Sequence, residues 1–322
     1  MIEKPHRSVD RPNDPPDYPQ KIADFLAREH PDVTLPERTI RLMAVAFDEM
    51  HLMYGKGQTD ETRREYHNDD HAFEVFERSA AWLKRFEEQF GLTFTTEDYE
   101  VVGLAAAYHD IVIGARDETT SDEALSAQVA VEAMRASPEK FGSKMRRRVK
   151  CAVEATTVEY RDGNVFQTHV LRGKPDFAIV AVALADSGAV ITESESTIIE
   201  HVSKLAMEHV APGETDVTLV TEAVMKILAG EEKFADQRLD DLKKYIEFLS
   251  GDPDKTKQIL QKYFAGRRER ILGFTARIDS RLGDIQQTVT DTLSDSKETT
   301  ERAATKIYRG IMRGLAWLPP SG

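Results

Sequence analysis

The stretch YHNDDHAFEV, from Tyr66 to Val75, carries two histidines four residues apart at the start of an amphipathic segment. Residues spaced by four lie on one face of a helix, so His67 and His71 are expected to project from the same side. Apolar residues continue to Phe90 at steps of three and four, the pattern of a helix with one buried face. The stretch therefore predicts a helix that presents imidazole side chains near its beginning.

The same periodicity extends over most of the chain from Gln20 to about Leu249, and no run of alternating strands interrupts it. Two polar segments, Arg116–Ser121 and Arg161–Gln167, are predicted as loops. The sequence therefore predicts an all-α fold, a helical bundle. Helices are predicted over Ile22–Arg28, Ile40–Met53, His71–Phe90, Asp98–Tyr108, Glu123–Ala136, Met145–Val158, Pro175–Val190, Thr197–His209, Leu219–Leu228 and Leu239–Leu249.

Composition divides the chain into three parts. Residues 1–19 hold five of the 13 prolines and many charges, which predicts a disordered or extended arm. Residues 20–250 form the predicted helical domain. Residues 251–322 carry 13 Lys/Arg and nine Asp/Glu, a net of +4, against −17 for the rest of the chain. A narrow apolar stripe within them, Ile271–Leu293, predicts an amphipathic helical extension that serves self-association or packs on the domain.

The overall balance excludes several classes of protein. A formal net charge of −13 argues against general nucleic-acid binding, which needs a basic surface. The longest apolar run, Phe177–Ala185, has nine residues where a membrane span needs about 20. The single cysteine, Cys151, excludes an internal disulfide and is predicted to be an inert buried thiol. Together with the lack of an apolar leader, these features predict a cytoplasmic protein without membrane contact.

Acidic and imidazole side chains recur at two later points. His109 and Asp110 close the apolar helical run LAAAYHDIVIG, and Asp186 interrupts the apolar run AIVAVALADSGAVI. A buried carboxylate there requires a cation or strong hydrogen-bond donors. Together with His71, these residues supply two imidazoles and two carboxylates, a ligand set suited to Mn, Fe, Co, Ni or Zn. Such an ion would activate a water molecule for attack on a phosphate ester.

These motifs resemble the HD superfamily of metal-dependent phosphohydrolases between Tyr66 and Asp186. The order is YHNxxHA, then HD within an apolar helix, then the segment DEALSA at 122–127, then the lone Asp186. It is most similar to small bacterial predicted HD phosphohydrolases, and its first motif also resembles that of cyclic-nucleotide phosphodiesterases. The resemblance implies an HD-domain-like bundle in which His71, His109, Asp110 and Asp186 hold one divalent ion, Mn, Fe, Co, Ni, Zn or Mg.

The resemblance also assigns candidate catalytic roles and shows two departures. His67 would be a general acid or a phosphate contact, Asn68 would cap the helix or orient a neighbour, and Glu123 would orient or deprotonate the attacking water. Ile113 occupies the position of a further histidine in the phosphodiesterases, which favours one ion over two. Glu159 stands where a histidine is expected in closer relatives. The other histidines are given no role in the site. Surface or capped positions are predicted for His30, His51, His169, His201 and His209.

Two functions remain open at this level. The first is hydrolysis of a phosphate ester, a nucleotide or other small phosphorylated metabolite, by a metal-activated water. The alternative is a catalytically weak or inactive HD-fold protein that binds metal or nucleotide or serves as a scaffold, which the substitutions at Ile113 and Glu159 motivate. In either case the predicted partners are a small phosphorylated ligand and, through the C-terminal helix, a second copy of the chain.

Overall fold

The computed structural model describes residues 15–55, 64, 66–115, 120–161, 164–166 and 175–186, and isolated positions from His201 onward. Seven helices and one small hairpin lie within these residues. In chain order they are α1 Tyr18–Glu29, α2 Glu37–Tyr54, α3 Asp69–Phe90, α4 Thr96–Tyr108, α5 Asp122–Ala136, α6 Ser143–Glu154, β1 Glu159–Arg161, β2 Asn164–Phe166 and α7 Phe177–Asp186.

The all-α fold class is confirmed. Each of the first seven predicted helices is present, and each begins within four residues of the predicted position. The segment Arg161–Gln167, predicted as a loop, instead contains the end of β1 and all of β2. These two three-residue strands pair antiparallel, with Glu159 opposite Phe166. A polar composition does not reveal so short a hairpin, because backbone pairing needs no apolar face.

The core surrounds α4 and α7. Every residue of α4 from Tyr99 to Tyr108 is buried, and so is α7 from Phe177 to Ala185 apart from the half-buried Ile179. Helix α3 packs against α7 and α4, and α4 also contacts α2 and α6. This explains why α7 is an unbroken apolar run, since a helix enclosed by neighbours has no polar face to present.

Helix α3 has a well-defined beginning and end, which matter for the site. The Asn68 side chain accepts hydrogen bonds from the backbone N–H groups of Asp70 and His71 and so caps the first turn. At the other end Gly91 adopts a left-handed conformation with φ 64°, which glycine accommodates without steric cost. The cap confirms the predicted role of Asn68 and fixes His71 in the first turn of α3.

The predicted domain limits are only partly described. Helix α1 begins at Tyr18, whose side chain is fully buried, so the predicted N-terminal arm ends before Tyr18 rather than at residue 19. Of residues 251–322 the structure describes Asp254 and Gln258, so the predicted amphipathic extension lies outside the described residues. Among the helices that are described, none is both long and apolar enough to span a membrane.

Candidate metal centre

The four predicted metal ligands converge on one point in the core. His71 comes from the first turn of α3, His109 and Asp110 follow the last residue of α4, and Asp186 ends α7. The two imidazole Nε2 atoms lie 3.3 Å apart, and Asp186 Oδ1 lies 3.4 Å from each of them. Asp110 Oδ2 is 3.0 Å from His109 Nε2 and 3.7 Å from His71 Nε2.

These separations are those of ligands around one ion. With metal–ligand distances of about 2.1 Å, two ligands lie about 3.0 Å apart at a right angle and about 3.4 Å apart at the tetrahedral angle. One ligand atom each from His71, His109 and Asp110 lies within 4.8 Å of the others. Asp110 Oδ2 is also buried without a hydrogen-bond partner, although His109 Nε2 is near. The residues present therefore fit a divalent cation that takes imidazole nitrogen and carboxylate oxygen.

The local structure of α4 directs His109 toward this point. Its Nδ1 lies 2.8 Å from the carbonyl oxygen of Ala106, one turn earlier, and donates a hydrogen bond to it. In the neutral ring this bond leaves the lone pair on Nε2, which faces His71 and the two carboxylates. A backbone carbonyl in this role fixes the tautomer and the ring orientation, as outer partners of metal-bound histidines do.

The cluster carries unbalanced negative charge. Burial raises the pKa of Asp186, but hydrogen bonds with His109 and His71 and their charges outweigh burial and hold that pKa well below its usual range. Burial likewise opposes a fall in the pKa of Asp110, which His109 nonetheless lowers. Burial depresses the pKa of His109, yet the two carboxylates raise it well above its ordinary value. Both carboxylates therefore stay ionised, and their two negative charges exceed the single positive charge that His109 supplies, which leaves room for a further cation.

The loop after Asp110 is held by the beginning of α5. Asp122 accepts hydrogen bonds from the backbone N–H groups of Gly114, at 2.8 Å, and Ala115, at 2.9 Å. Gly114 adopts a φ of 76°, a value that residues with a side chain rarely take. Ser126 Oγ accepts a hydrogen bond from the Val112 N–H at 3.1 Å. The DEALSA segment thus anchors the turn that carries Asp110.

Glu123 lies in the first turn of α5 and is half-buried. Burial raises the pKa of Glu123, and the charges of Asp110 and Asp186 raise it further against hydrogen bonds with its own backbone and Ser121. Its carboxyl group therefore lies within the electrostatic field of the cluster. Its proposed role toward water stays a prediction.

His67 does not join the cluster but pairs with Glu208. Its Nδ1 lies 2.6 Å from Glu208 Oε2, while the backbone N–H groups of Tyr66 and His67 donate to Glu208 Oε1 at 2.6 and 2.9 Å. Burial lowers the pKa of His67, but the hydrogen bond to Glu208 and the charges of Asp110, Glu208 and Asp186 raise it to about 9. His67 is therefore a cation at neutral pH, and only its Nε2 proton remains to give away.

A second polar group, formed by Glu74, Arg78 and His201, borders the cluster on the face of α3 that also carries His71. Arg78 donates from Nη2 to Glu74 Oε2 at 2.6 Å and from Nη1 to the Ala185 carbonyl at 3.4 Å. His201 Nε2 lies 3.3 Å from both Arg78 Nη2 and Glu74 Oε2. Burial favours a higher pKa for Glu74, but His201 and Arg78 lower it to about 2. Arg78 thereby ties α3 to the last turn of α7, next to Asp186.

Sequence reasoning missed Glu208. It predicted a surface or capped position without a role for His201, whereas the structure buries this residue. The available signal was their spacing. His201, Leu205 and Glu208 follow one another at steps of four and three within a predicted helix, so they share one face. Their partners lie 141 and 123 residues away along the chain, at His67 and Arg78.

Three further predictions for histidines and the cysteine can be compared with the structure. His30 and His51 were predicted at surface or capped positions. His30 is buried, while His51 is half-buried with its Nδ1 3.0 Å from Asp69 Oδ2. Cys151, predicted to be buried, is exposed on α6. None of them contributes a ligand to the candidate metal centre.

No protein-family model, no curated protein and no solved structure matches this chain. The resemblance to HD phosphohydrolases therefore stays a prediction from the motifs, and arguments about function depend on the geometry of the site itself.

Proposed function

We propose that this chain is a metal-dependent phosphohydrolase that acts on a small phosphate ester. The observation that carries the proposal is the convergence of His71, His109, Asp110 and Asp186, from three separate helices, at separations that fit a single ion. Such a cluster of buried ionised groups is expensive to maintain without a cation, which favours a metal site over a structural ion-pair cluster.

His71, His109, Asp110 and Asp186 would hold one divalent ion, with Mn, Fe, Co, Ni, Zn and Mg as candidates. When bound, such an ion lowers the pKa of a water molecule and polarises a phosphoryl oxygen. Asp110 and Asp186 neutralise its charge, and the backbone carbonyl of Ala106 keeps His109 Nε2 available as a ligand. The turn held by Asp122 keeps Asp110 in place.

His67 would act as the general acid. In hydrolysis the water oxygen bonds to phosphorus, the ester P–O bond breaks, and the leaving oxygen takes a proton. His67 can give this proton from Nε2, because Glu208 occupies Nδ1 and raises the pKa of His67 to about 9. Glu123 would accept the proton of the attacking water, since its carboxyl group lies in the field of the cluster.

The finer partner assignments belong to the same proposal. The ligand is a small phosphorylated molecule in a cytoplasmic setting, without general binding of nucleic acid or membrane. Self-association is assigned to the C-terminal extension. For a chain truncated after Gly251, light scattering should give fewer chains per particle, and the metal content per chain should be unchanged. An unchanged number of chains per particle would remove the assembly assignment.

The alternative, a binding or scaffold protein that retains the metal site, predicts a different result in the same assay. Its motivation is Ile113, which takes the place of a metal-ligating or catalytic residue of related motifs. In that case metal would raise the melting temperature, and a nucleotide would bind without being consumed. Rapid turnover of the bound nucleotide excludes the alternative.

The decisive experiment is metal analysis followed by a turnover panel. Purified protein is stripped, reloaded separately with each candidate ion, and assayed on phosphomonoesters and phosphodiesters. We expect one bound ion per chain, metal-dependent release of phosphate or of a monoester, and loss of both binding and turnover in Asp110→Asn. Asp24→Asn, an exposed change of the same kind on α1, is the matched control. Equal turnover by wild type and Asp110→Asn rejects the proposal.

A further inference from the structure

Arg64 lies between the end of α2 and the beginning of α3, seven residues before the proposed metal ligand His71. Its backbone N–H donates to the carbonyl of Tyr54 at 3.0 Å, and its own carbonyl accepts from Asn68 Nδ2 at 2.9 Å. The same Asn68 side chain accepts from the N–H of His71. The Arg64 backbone is thus one side chain away from the first turn that carries His71.

The Arg64 guanidinium has no anionic partner among the residues that the structure describes. Its Nε is buried without a hydrogen-bond partner. Other partly buried arginines differ from Arg64 in having carboxylate partners: Arg38, whose Nε is likewise buried without a hydrogen-bond partner, pairs with Glu100 at 3.2 Å. Arg148 pairs with Glu97, Asp98 and Asp176, and Arg78 pairs with Glu74. A buried guanidinium N–H without an acceptor costs free energy, which a bound anion would recover.

Tyr54, the last residue of α2, places a phenol in the same region. Burial raises the pKa of this phenol, while a hydrogen bond with the Ile113 backbone and the charge of Arg64 lower it. The charges of Asp122 and Asp110 also act on it. The phenol therefore lies within the fields of both Arg64 and the metal-ligating Asp110. A phenol O–H is a hydrogen-bond donor suited to an anion.

We propose that Arg64 and Tyr54 form an anion subsite beside the metal centre that binds non-bridging oxygens of a terminal phosphate, so that the substrate is a phosphomonoester. This inference rests on the proposed function. A guanidinium fork binds two phosphate oxygens at once, and a phenol adds a third donor.

The count of oxygens and charges favours a monoester over a diester. A terminal phosphate offers three non-bridging oxygens and a charge of about −1.5 to −2 at neutral pH. A diester offers two such oxygens and one charge. Asp110 and Asp186 would offset a divalent ion, Glu208 offsets His67, and Arg64 adds a further positive charge that acts on Tyr54. A dianionic group gains more from that charge than a monoanionic group does.

The subsite can be tested by anion binding, without any turnover. Full-length protein, with and without Co²⁺, is titrated calorimetrically with inorganic phosphate and with dimethyl phosphate near pH 8. The same titrations are made for Arg64→Gln, Arg64→Lys, Tyr54→Phe and the control Arg28→Gln. Arg28 is an equivalent cation on α1 whose side chain is 63% exposed. Metal content and melting temperature are measured for each protein.

We expect wild type to bind phosphate more tightly than dimethyl phosphate. Arg64→Gln should weaken phosphate binding about 10- to 100-fold, as loss of charged hydrogen bonds does. Arg64→Lys and Tyr54→Phe should each show a smaller loss, and Arg28→Gln should match wild type. Metal content should not change in any of them.

Equal phosphate affinity of wild type and Arg64→Gln overturns the subsite, and so does an equal loss in Arg28→Gln. If Arg64→Gln does not fold, unchanged phosphate binding in both Arg64→Lys and Tyr54→Phe overturns it instead. A wild-type protein that takes up no metal but binds phosphate through Arg64 contradicts the proposed function alone. Metal uptake with phosphate binding that ignores Arg64 contradicts this inference alone.

Discussion

The pairing of His67 with Glu208 leads to a sharp prediction for the variant Glu208→Gln. The glutamine oxygen can still accept hydrogen bonds from the backbone N–H groups of Tyr66 and His67, which Glu208 Oε1 binds now. The negative charge opposite His67 Nδ1 is lost. The variant therefore isolates the charge of the pair from its backbone contacts.

The magnitude follows from the pKa of His67. A pKa of about 9 in the folded chain, against an ordinary value of about 6.5, corresponds to at most about 3 kcal/mol. The His67 side chain is 31% exposed, so solvent screens part of this interaction. We expect Glu208→Gln to lower the free energy of unfolding by about 1–2 kcal/mol near pH 6.

The pH dependence has a definite sign. Because the pKa of His67 is raised on folding, the pair contributes its full stability below about pH 6.5, and the contribution disappears as pH rises through about 9. The hydrogen bond from His67 lowers the pKa of Glu208 against the effect of burial, so Glu208 stays ionised at pH 5. The difference in stability between wild type and Glu208→Gln should therefore be largest between about pH 5 and 6.5.

Two measurements check this prediction. Urea unfolding between pH 5 and 10 gives the difference in stability, and an NMR titration of the His67 ring gives its pKa directly. Glu37→Gln, at a glutamate that is 90% exposed, is the control and should show no such pH dependence. A wild-type His67 that titrates near pH 6.5, or a stability difference that persists at pH 10, would refute the reasoning.

Three other substitutions probe the structure around the site. Asn68→Ala should cost about 1 kcal/mol in urea unfolding, because the first turn of α3 loses its cap, and should weaken Co²⁺ affinity measured by calorimetry. Asp186→Asn should reduce that affinity at least tenfold while the circular dichroism spectrum keeps its helical shape; unchanged affinity contradicts the ligand assignment. Arg148→Gln should lower the free energy of unfolding by about 3 kcal/mol, because Asp98 and Asp176 keep their half-buried charges without a partner. A change below 0.5 kcal/mol, the scale of an exposed pair, would show that the network contributes nothing.

The helices could be predicted because their causes are local. Apolar spacing in α1 to α6 records which face of each helix meets the core, and α7 appears as an apolar run because neighbours surround it. Capping residues such as Asn68 lie directly before the turn that they stabilise. Such information is contained in a few consecutive residues, so one sequence is sufficient to find it.

The ligand set could be predicted because its ionisable residues stand at the ends of apolar helical runs, where charged side chains are uncommon. Asp110 and Asp186 each follow an apolar run in which an unpaired charge is costly, and their position in the sequence already requires a partner. That each meets both His71 and His109 was inferred from motif order and not from physics. The short distances between these four side chains depend on how α3, α4 and α7 pack against one another, and no local sequence pattern encodes that packing.

The partners of His67 and Arg78 could not be predicted in the same way. Glu208 and His201 lie on an ordinary amphipathic segment, where a glutamate and a histidine are most simply solvated. Only their contacts with the residues before α3 and with Glu74 and Arg78 give them a role. Burial then changes their chemistry, because a low-dielectric setting strengthens the pair that water would weaken.

Arg64 shows the converse case, in which the missing partner is the informative feature. In the sequence it belongs to the charged run TRREYH, where a solvated arginine is expected. The structure buries its Nε without an acceptor and places it within the field that acts on Tyr54. A folded chain satisfies nearly all of its buried polar groups from its own atoms, so a buried Nε without an acceptor, on an arginine that has no carboxylate partner among the described residues, supports the proposal of an external anion. A phosphate ester, the proposed substrate of the metal centre, is an anion of this type. The proposed anion subsite at Arg64 and the proposed metal centre therefore fit a single substrate site.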